Sequence, residues 1–384
     1  MPNLILLSLL AAFPPLSTDM YLPAIPSLQA LWGLSFATVN LSLVLFMAVF
    51  SVFLLIHGPL SDRFGRRPVL IAGILLFITG TSLCAASQSI SMLLVGRCVQ
   101  AAGAAAASSL ALALSKDLYS GQERQKILAY IGVIMALAPM LAPTLGGLML
   151  KFVSWRLIFI SQSCLALVGL YGVYRLKEPV TEFTKGGFLA VAGRYVTVAR
   201  NVPFMVLSMG FALMVLPHFA FIGGSTDIYM NTFGLSEQAF GYYFGFNALG
   251  FMLGSLACTR LAGVYKSLNM LYFTIGTFFC GGLLMLILGG HTPVTVAAAM
   301  ICITFSVGFS RPISNSMILD QVDTDVGAAS GILTFEMFMI AAVGMQLISL
   351  DWSNKPQLVG WGAMLSAAVP LIALQLVKKR CRFN

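Results

Sequence analysis

Five ionisable residues stand inside long apolar stretches of this chain: Asp19, Arg97, Asp227, Arg311 and Glu336. A charge inside a bilayer is costly, so such residues usually mark a path for ions or polar solutes. A carboxyl group shielded from bulk water binds its proton more tightly and can exchange it near neutral pH. We therefore interpret Asp19, Asp227 and Glu336 as candidate proton-coupling residues, with Asp19 as the leading one. If proton and solute both need that carboxylate, binding one expels the other, which is sufficient for antiport.

A second set of side chains could line an adaptable solute cavity, because aromatic rings and thioethers fit irregular apolar molecules. Its members are Tyr21, Phe46, Tyr130, Met135 and Phe246, together with Arg311 and Glu336 as charged groups. The five charges inside apolar stretches sum to −1 when all are ionised, which favours a cation, a zwitterion or a polar neutral compound as the solute. Arg311 and Glu336 either pair with each other or form a charged subsite.

The composition requires a membrane to position these groups. The chain is 59% hydrophobic and only 9% charged over 384 residues, and its mean hydropathy is +0.92. Such a chain cannot pack as a water-soluble globule. A spanning helix needs about 20 mainly apolar residues. We predict an all-α membrane protein with twelve spans, at 3–24, 38–57, 68–86, 92–113, 127–149, 157–175, 204–229, 239–258, 268–289, 294–317, 328–350 and 358–377.

The distribution of Lys and Arg predicts the orientation of these spans. If both termini are cytoplasmic, 17 of the 22 basic residues lie in cytoplasmic segments, and only Lys151, Arg156 and Lys355 lie in external loops. Basic residues are enriched in cytoplasmic loops of membrane proteins. The net charge of +9 therefore needs no nucleic-acid partner, and the lipid bilayer is the expected surroundings.

The chain is organised as two halves. The longest polar interval, 176–203, is predicted to be a cytoplasmic linker between six-helix bundles at 1–175 and 204–384. A short repeat supports this division, because Ser17-Thr18-Asp19-Met20-Tyr21 and Ser225-Thr226-Asp227-Ile228-Tyr229 share four of five residues at equivalent places in the halves. Parallel repeats of this kind place a solute site at the membrane midplane between the halves.

The polar segment Gly58-Pro59-Leu60-Ser61-Asp62-Arg63-Phe64-Gly65-Arg66-Arg67-Pro68 is predicted to be a tight cytoplasmic loop. It closely resembles the loop between helices 2 and 3 of the major facilitator superfamily of transporters. Three further segments match this superfamily. Leu94–Gly103 resembles its helix 4 motif, which contains Arg97, and Ala142–Gly147 resembles its antiporter motif in helix 5. Asp19–Pro26 resembles the end of helix 1 in the Bcr/CflA group of drug:proton antiporters. The resemblance extends over nearly the whole chain.

This resemblance implies the major facilitator fold and proton-coupled efflux of drugs, of the kind that confers antibiotic resistance, across the bacterial inner membrane. It also implies that Arg97 lies near Asp19 and tunes it. The loop residues Gly58, Asp62, Arg63, Gly65, Arg66 and Arg67, with Asp117, are expected to form a conformational latch. The helix 5 residues Pro143, Gly146 and Gly147 are expected to let spans 5 and 8 pack across the halves.

Two rival functions stay open. An importer or exporter of a specific polar metabolite on the same fold is favoured by Arg311 and Glu336, while the helix 5 motif argues against import. A membrane-embedded enzyme would need clustered His, Asp or Ser residues on adjacent helices, and we find none in the sequence.

No phosphate-binding glycine loop is present and the His and Cys spacing indicates no metal site. We therefore expect no cofactor, no metal and no enzyme, with a small molecule and protons as partners of a monomer.

Overall fold

The protein is built from helices. The structure, a computed structural model, describes residues 2–180 and 188–377, and the only strand-like feature within those ranges is an isolated bridge between Ala262 and Tyr265. The elements are α1 (Pro2–Asp19), a 3₁₀ turn (Leu22–Ala24), α2 (Ile25–Trp32), α3 (Phe36–Phe64), α4 (Arg66–Ala86), α5 (Ile90–Leu118), α6 (Gly121–Phe152), α7 (Trp155–Arg175), α8 (Phe188–Ala199), α9 (Val202–Ala212), α10 (Val215–Thr226), a π-helix (Asp227–Thr232), α11 (Glu237–Leu261), α12 (Ser267–Leu288), α13 (Pro293–Leu319), α14 (Val326–Ser349) and α15 (Lys355–Val377).

The all-α membrane class is confirmed. Eleven helical segments of the described chain are long and apolar enough to cross a membrane. The twelfth predicted stretch, 239–258, forms α11, which is 25 residues long but is less apolar because it carries several glycines, two tyrosines and Asn247. Twelve helices of spanning length are therefore present, in keeping with the prediction.

The chain divides into two compact units, one ending at Phe188 and the other beginning at Leu189. The first unit contains α1 to α7 and the second contains α8 to α15. The interval 176–203, predicted as a linker, includes the 12-residue helix α8 and the start of α9. Residues 181–187 of that interval and 378–384 of the predicted second bundle lie outside the described residues.

The two units use the same internal packing scheme. In the first unit α4 packs on α5 and α7, α3 packs on α5, and α1 packs on α6. In the second unit the corresponding contacts join α12 to α13 and α15, α11 to α13, and α10 to α14. The repeated pentapeptide therefore ends equivalent helices, α1 and α10, at equivalent places in each unit.

The first span is longer than its sequence prediction and places Asp19 near its middle. The helical path continues from α1 through the 3₁₀ turn and α2, so the apolar segment runs from Asn3 to Trp32. Helix α1 ends at Asp19 because Pro23 would clash with the carbonyl of the residue four positions earlier and lacks an N–H group. In the second unit the apolar segment ends at Thr232, only five residues after Asp227.

The predicted tight loop after the second span is a single residue. Helix α3 extends to Phe64 and α4 begins at Arg66, so only Gly65 interrupts them. The prediction of a loop over 58–68 is thus wrong in extent. Gly65 has φ +98°, a conformation that L side chains rarely adopt, and a methyl group there would also lie 2.8 Å from a carboxylate oxygen of Glu178.

The glycines of spans 5 and 8 make their closest approaches within their own units. A methyl group on Gly146 of α6 would collide with the main-chain oxygen of Met20, at the break in the first span. Methyl groups on Gly250 and Gly254 of α11 would collide with residues of α13. These three glycines therefore allow close packing inside each unit, and the expected packing of spans 5 and 8 across the halves stays a prediction.

Replacing Gly146 by Ala is expected to lower the melting temperature of the detergent-purified protein, because the added methyl group must push α6 away from Met20. Gly132→Ala is the matched control: it lies on the same helix and its methyl group would meet nothing within 4 Å. That substitution should be neutral or stabilising by up to about 1 kcal/mol, from helix propensity. Equal melting temperatures for the two variants would contradict the packing described here.

Candidate functional site

Asp19 is a buried carboxyl group with a single hydrogen-bond partner. It is 7% exposed, and its Oδ1 accepts from the Thr18 hydroxyl at 3.0 Å. No Lys, Arg or His nitrogen lies within 4.0 Å of it among the described residues. A buried carboxylate without a cation is costly, so this environment favours the neutral, protonated form.

Arg97 is fully buried and held by oxygen atoms of its own unit. Its Nη1 donates to the main-chain oxygen of Ser17 at 2.8 Å and to the side-chain oxygen of Gln100 at 2.6 Å. Its Nε donates to the main-chain oxygen of Ser42 at 3.2 Å. The pairing with Asp19 expected from the sequence is absent from the described structure, and Arg97 instead binds the main chain two residues before Asp19.

Two residues predicted to line the solute cavity instead enclose Arg97. Its guanidinium lies 5.0 Å from the ring centre of Tyr21 and 4.4 Å from that of Phe46, and both rings are completely buried. Cation–π contacts of this kind stabilise a desolvated guanidinium. The Tyr21 hydroxyl also pairs with the Ser42 hydroxyl at 2.9 Å. Tyr21 and Phe46 therefore fix the arginine rather than face open space.

The other three predicted cavity residues are exposed on the surface of their units. Tyr130 is 56% exposed and lines an apolar cavity of about 390 Å³ between α1 and α6. Met135 and Phe246 are also exposed. Neither of these two lines that cavity, and Phe246 belongs to the second unit.

Asp227 forms an ion pair. Its Oδ2 lies 2.5 Å from Nζ of Lys355, the first residue of α15, and its Oδ1 accepts from the Asn231 amide at 2.8 Å. The equivalent helix of the first unit, α7, begins with Trp155, which cannot supply a cation. The repeated Asp thus has a cationic partner in the second unit and none in the first.

Arg311 and Glu336 do not pair with each other. Both carboxylate oxygens of Glu336 are buried without a hydrogen-bond partner among the described residues, and Ser208 of α9 faces the group. Arg311 Nη1 contacts the thioether of Met337. Neighbouring residues of a helix point in different directions, so Glu336 is directed towards α9 while Met337 is directed towards α13.

The predicted latch residues form a charged network within the first unit. Arg66 binds Asp62 at 2.5 Å and Asp117 at 2.8 Å, and its Nη1 also donates to the Ser61 hydroxyl at 2.6 Å. Arg67 donates to the main-chain oxygen of Tyr174 at 2.8 Å. This network connects the ends of α3, α4, α5 and α7.

Two members of the predicted latch stand apart. Arg63 is exposed and lies over the ring of Phe64, 5.2 Å from its centre, without an ion pair in the described chain. A methyl group on Gly58 would meet nothing within 4 Å, so close packing inside this unit does not require that glycine.

Glu178 is a central residue of the network that sequence reasoning missed. Its two carboxylate oxygens accept from the main-chain N–H groups of Arg66 and Arg67, both at 2.9 Å. These groups begin α4, and a carboxylate at a helix N-terminus is stabilised by the unpaired N–H groups and the helix dipole. The only sequence signal was an acidic residue within the polar interval after span 6.

The twelve-helix architecture, its two similarly packed units and its buried charges are those of a polytopic transporter. The family model for the Major Facilitator Superfamily matches residues 7–345. The chain belongs to the major facilitator superfamily, which is a family of membrane transporters, so it is a multi-pass membrane transporter.

Several bacterial proteins are similar along most of their length. The chain is 28% identical over 370 residues to an uncharacterized MFS-type transporter, YdgK, of Bacillus subtilis, covering 94% of this chain and 90% of that protein. It is 26% identical over 371 residues to the multidrug resistance protein MdtL of Klebsiella pneumoniae, with the same coverage of 94% and 90%.

Two solved structures have the same fold. A D-xylose-proton symporter superposes with a TM-score of 0.74 at 15% identity, covering 96% of each chain. The human organic anion transporter MFSD10 superposes with a TM-score of 0.75 at 17% identity, covering 98% of this chain and 99% of that one. At these identities the likeness extends to the fold alone.

Replacing Glu178 by Gln is expected to lower the melting temperature of the purified protein. Loss of a helix-capping carboxylate costs about 0.5–2 kcal/mol, and here two N–H groups depend on it. Glu123→Gln is the control, since Glu123 lies in the first turn of α6 and is exposed. A melting temperature for Glu178→Gln no lower than that of Glu123→Gln would rule out this capping role.

Proposed function

We propose that this protein is a proton-coupled antiporter that exports small amphipathic or polar compounds across the bacterial inner membrane by alternating access. The observation that carries the proposal is the environment of Asp19. Its carboxyl group is buried near the middle of the first span and has no cationic partner among the described residues of its unit.

The coupling step requires one group that is neutral when protonated and whose charged form is unfavourable in free energy in its buried surroundings. Asp19 satisfies this because its surroundings supply one hydroxyl donor and no cation. The charged carboxylate becomes favourable only when a polar or cationic part of the cargo reaches it. Cargo binding therefore expels the proton, and proton binding expels the cargo.

Arg97 acts in this scheme as a positioning residue. It binds the carbonyl of Ser17 and so holds the last turn of α1, which carries Asp19. Three oxygen acceptors and two aromatic faces hold its guanidinium in this position. Asp227 has the different role of tying the end of the seventh span to α15 through Lys355.

The names of the relatives support efflux rather than uptake. Proteins named multidrug resistance protein MdtL are similar to this chain at 26–28% identity and cover 83–94% of it. From this similarity we propose that the present chain also works in the direction of efflux and on the same class of substrate. Both termini are proposed to be cytoplasmic, from the distribution of Lys and Arg, and the protein is proposed to work as a monomer.

A second candidate is a transporter for one specific polar metabolite on the same fold. It is favoured by Arg311 and Glu336, which place two unpaired charged groups inside the second unit. A multidrug exporter needs fewer such groups, because its cargo is recognised mainly through apolar contact.

The direction of transport distinguishes the proposed exporter from an importer on the same fold. An imposed pH gradient, acidic inside, should drive uptake of norfloxacin or ethidium into inverted membrane vesicles. Right-side-out vesicles with an imposed pH gradient that is acidic outside should show efflux of the probe and no uptake. Proton-driven uptake of either probe into right-side-out vesicles would contradict export.

Asp19→Asn is expected to abolish proton-driven uptake into inverted vesicles, because the amide can neither bind nor release a proton. The matched control is Asp227→Asn, which alters the equivalent residue of the repeat. It should retain proton-driven uptake and lower the melting temperature, since it breaks the pair with Lys355. Loss of coupling in Asp227→Asn with full activity in Asp19→Asn would reverse the assignment.

A further inference from the structure

The second unit contains a small cavity with an arginine in its wall. The cavity has a volume of about 20 Å³ and lies between α9, α10, α13 and α14. Its polar lining residues are Ser208, Ser310, Arg311, Ser314 and Asn315, with Met337 opposite. A volume of this size admits roughly one water-sized group. It therefore suits the charged end of a larger molecule and not the whole molecule.

Arg311 has an unusual set of partners for a guanidinium inside a membrane. Its one hydrogen-bond contact in the described chain is the Met337 thioether, which is a weak acceptor. No carboxylate lies within 4.0 Å of it in the part of the chain that the structure describes. Arg97 of the first unit, in contrast, donates to three oxygen acceptors, and its Nη2 alone is buried without a partner among the described residues.

Arg311 lies too far along α13 from the helix end to be a residue of the membrane surface. It stands eight residues before the end of α13, and Glu336 stands ten residues after the start of α14. At 1.5 Å per residue these positions are about 12 and 15 Å from the turn that joins the two helices. Both charges thus lie at a similar depth in the apolar part of the unit.

The groups around Arg311 complement a negatively charged oxygen pair. A guanidinium presents parallel N–H donors that match a carboxylate in a bidentate arrangement. Asn315 lies one turn further along α13 and lines the same cavity, so its amide can add a donor. His218 of α10 is within electrostatic reach of Arg311, and its Nδ1 is buried without a partner.

We propose that Arg311 binds a carboxylate carried by the cargo, so that the substrate class is carboxylate-bearing amphipathic compounds, zwitterions included. This inference rests on the proposed transport function, and it identifies the chemistry that the second unit recognises. Glu336 does not line this cavity, although its carboxyl group faces the lining residue Ser208, and it forms no ion pair with Arg311 within the described chain. The cargo carboxylate replaces the thioether as the acceptor of the Arg311 N–H groups.

The experiment is a binding measurement on the full-length purified protein in detergent, without a pH gradient. The probes are benzoate, naphthoate and tryptophan, each compared with its neutral amide, and chloride is tested separately. Binding is followed by calorimetry and by the shift in melting temperature. Because no transport is required, failure here is distinguishable from failure of the antiport proposal, which depends on Asp19.

At least one carboxylate should bind the wild type more tightly than its amide, and Arg311→Gln should weaken that binding by about tenfold or more, a change of about 1.4 kcal/mol. Arg311→Lys should retain part of the affinity, which keeps the test valid if Arg311→Gln does not fold. Arg260→Gln, an exposed residue of α11 with the same change of charge, should bind as the wild type does.

Three results would overturn the proposal. The first is equal binding of every carboxylate and its amide. The second is an Arg311→Gln variant, folded by its melting profile, that binds carboxylates as tightly as Arg260→Gln does. The third is Arg311-dependent binding of chloride with no carboxylate bound, which would identify a site for an inorganic ion instead.

Discussion

The break in the first span at Asp19 is the constraint on which the site depends. Pro23 ends α1 at that residue, and the absence of a side chain on Gly146 lets α6 lie against the next main-chain oxygen. The carboxyl group is thereby enclosed at mid-span, where no cation within the described part of its unit offsets its charge. A carboxyl group in such a place changes its charge only when something polar arrives beside it, and that is the requirement of coupled transport.

Comparison of the two units separates functional from structural charges. The same pentapeptide ends α1 and α10, yet Lys355 neutralises Asp227 whereas Trp155 stands at the start of the equivalent helix in the first unit. The two arginines differ in a similar way, since Arg97 donates to three oxygen atoms, whereas the Arg311 guanidinium contacts only the Met337 thioether within the described residues. Among the described residues, Asp227 is paired with a cation, whereas Asp19, Arg311 and Glu336 have no oppositely charged side chain within 4.0 Å. We propose Asp19 as the group available to a proton and Arg311 as the group available to a cargo.

The fold was predictable from sequence because apolar stretches of about 20 residues predict spanning helices. The number of such stretches predicts the number of helices. The site was predictable only in part. Lys355 was assigned to an external loop by charge counting, which cannot reveal that it pairs with Asp227. Glu178 lies 112 residues from Arg66, and no local pattern connects a carboxylate to a distant helix end. Tyr21 and Phe46 are predicted to line a solute cavity but enclose Arg97, because spacing alone does not distinguish the wall of a cavity from the enclosure of an arginine.

The most direct test of this account is the release of protons when norfloxacin, which carries a carboxylate, is added to the detergent-solubilised protein in weakly buffered solution. The wild type is expected to release protons in proportion to the bound probe, whereas Asp19→Asn should bind the probe with little or no release. Full proton release by Asp19→Asn, at equal probe binding, would contradict the assignment of Asp19 as the exchanging group.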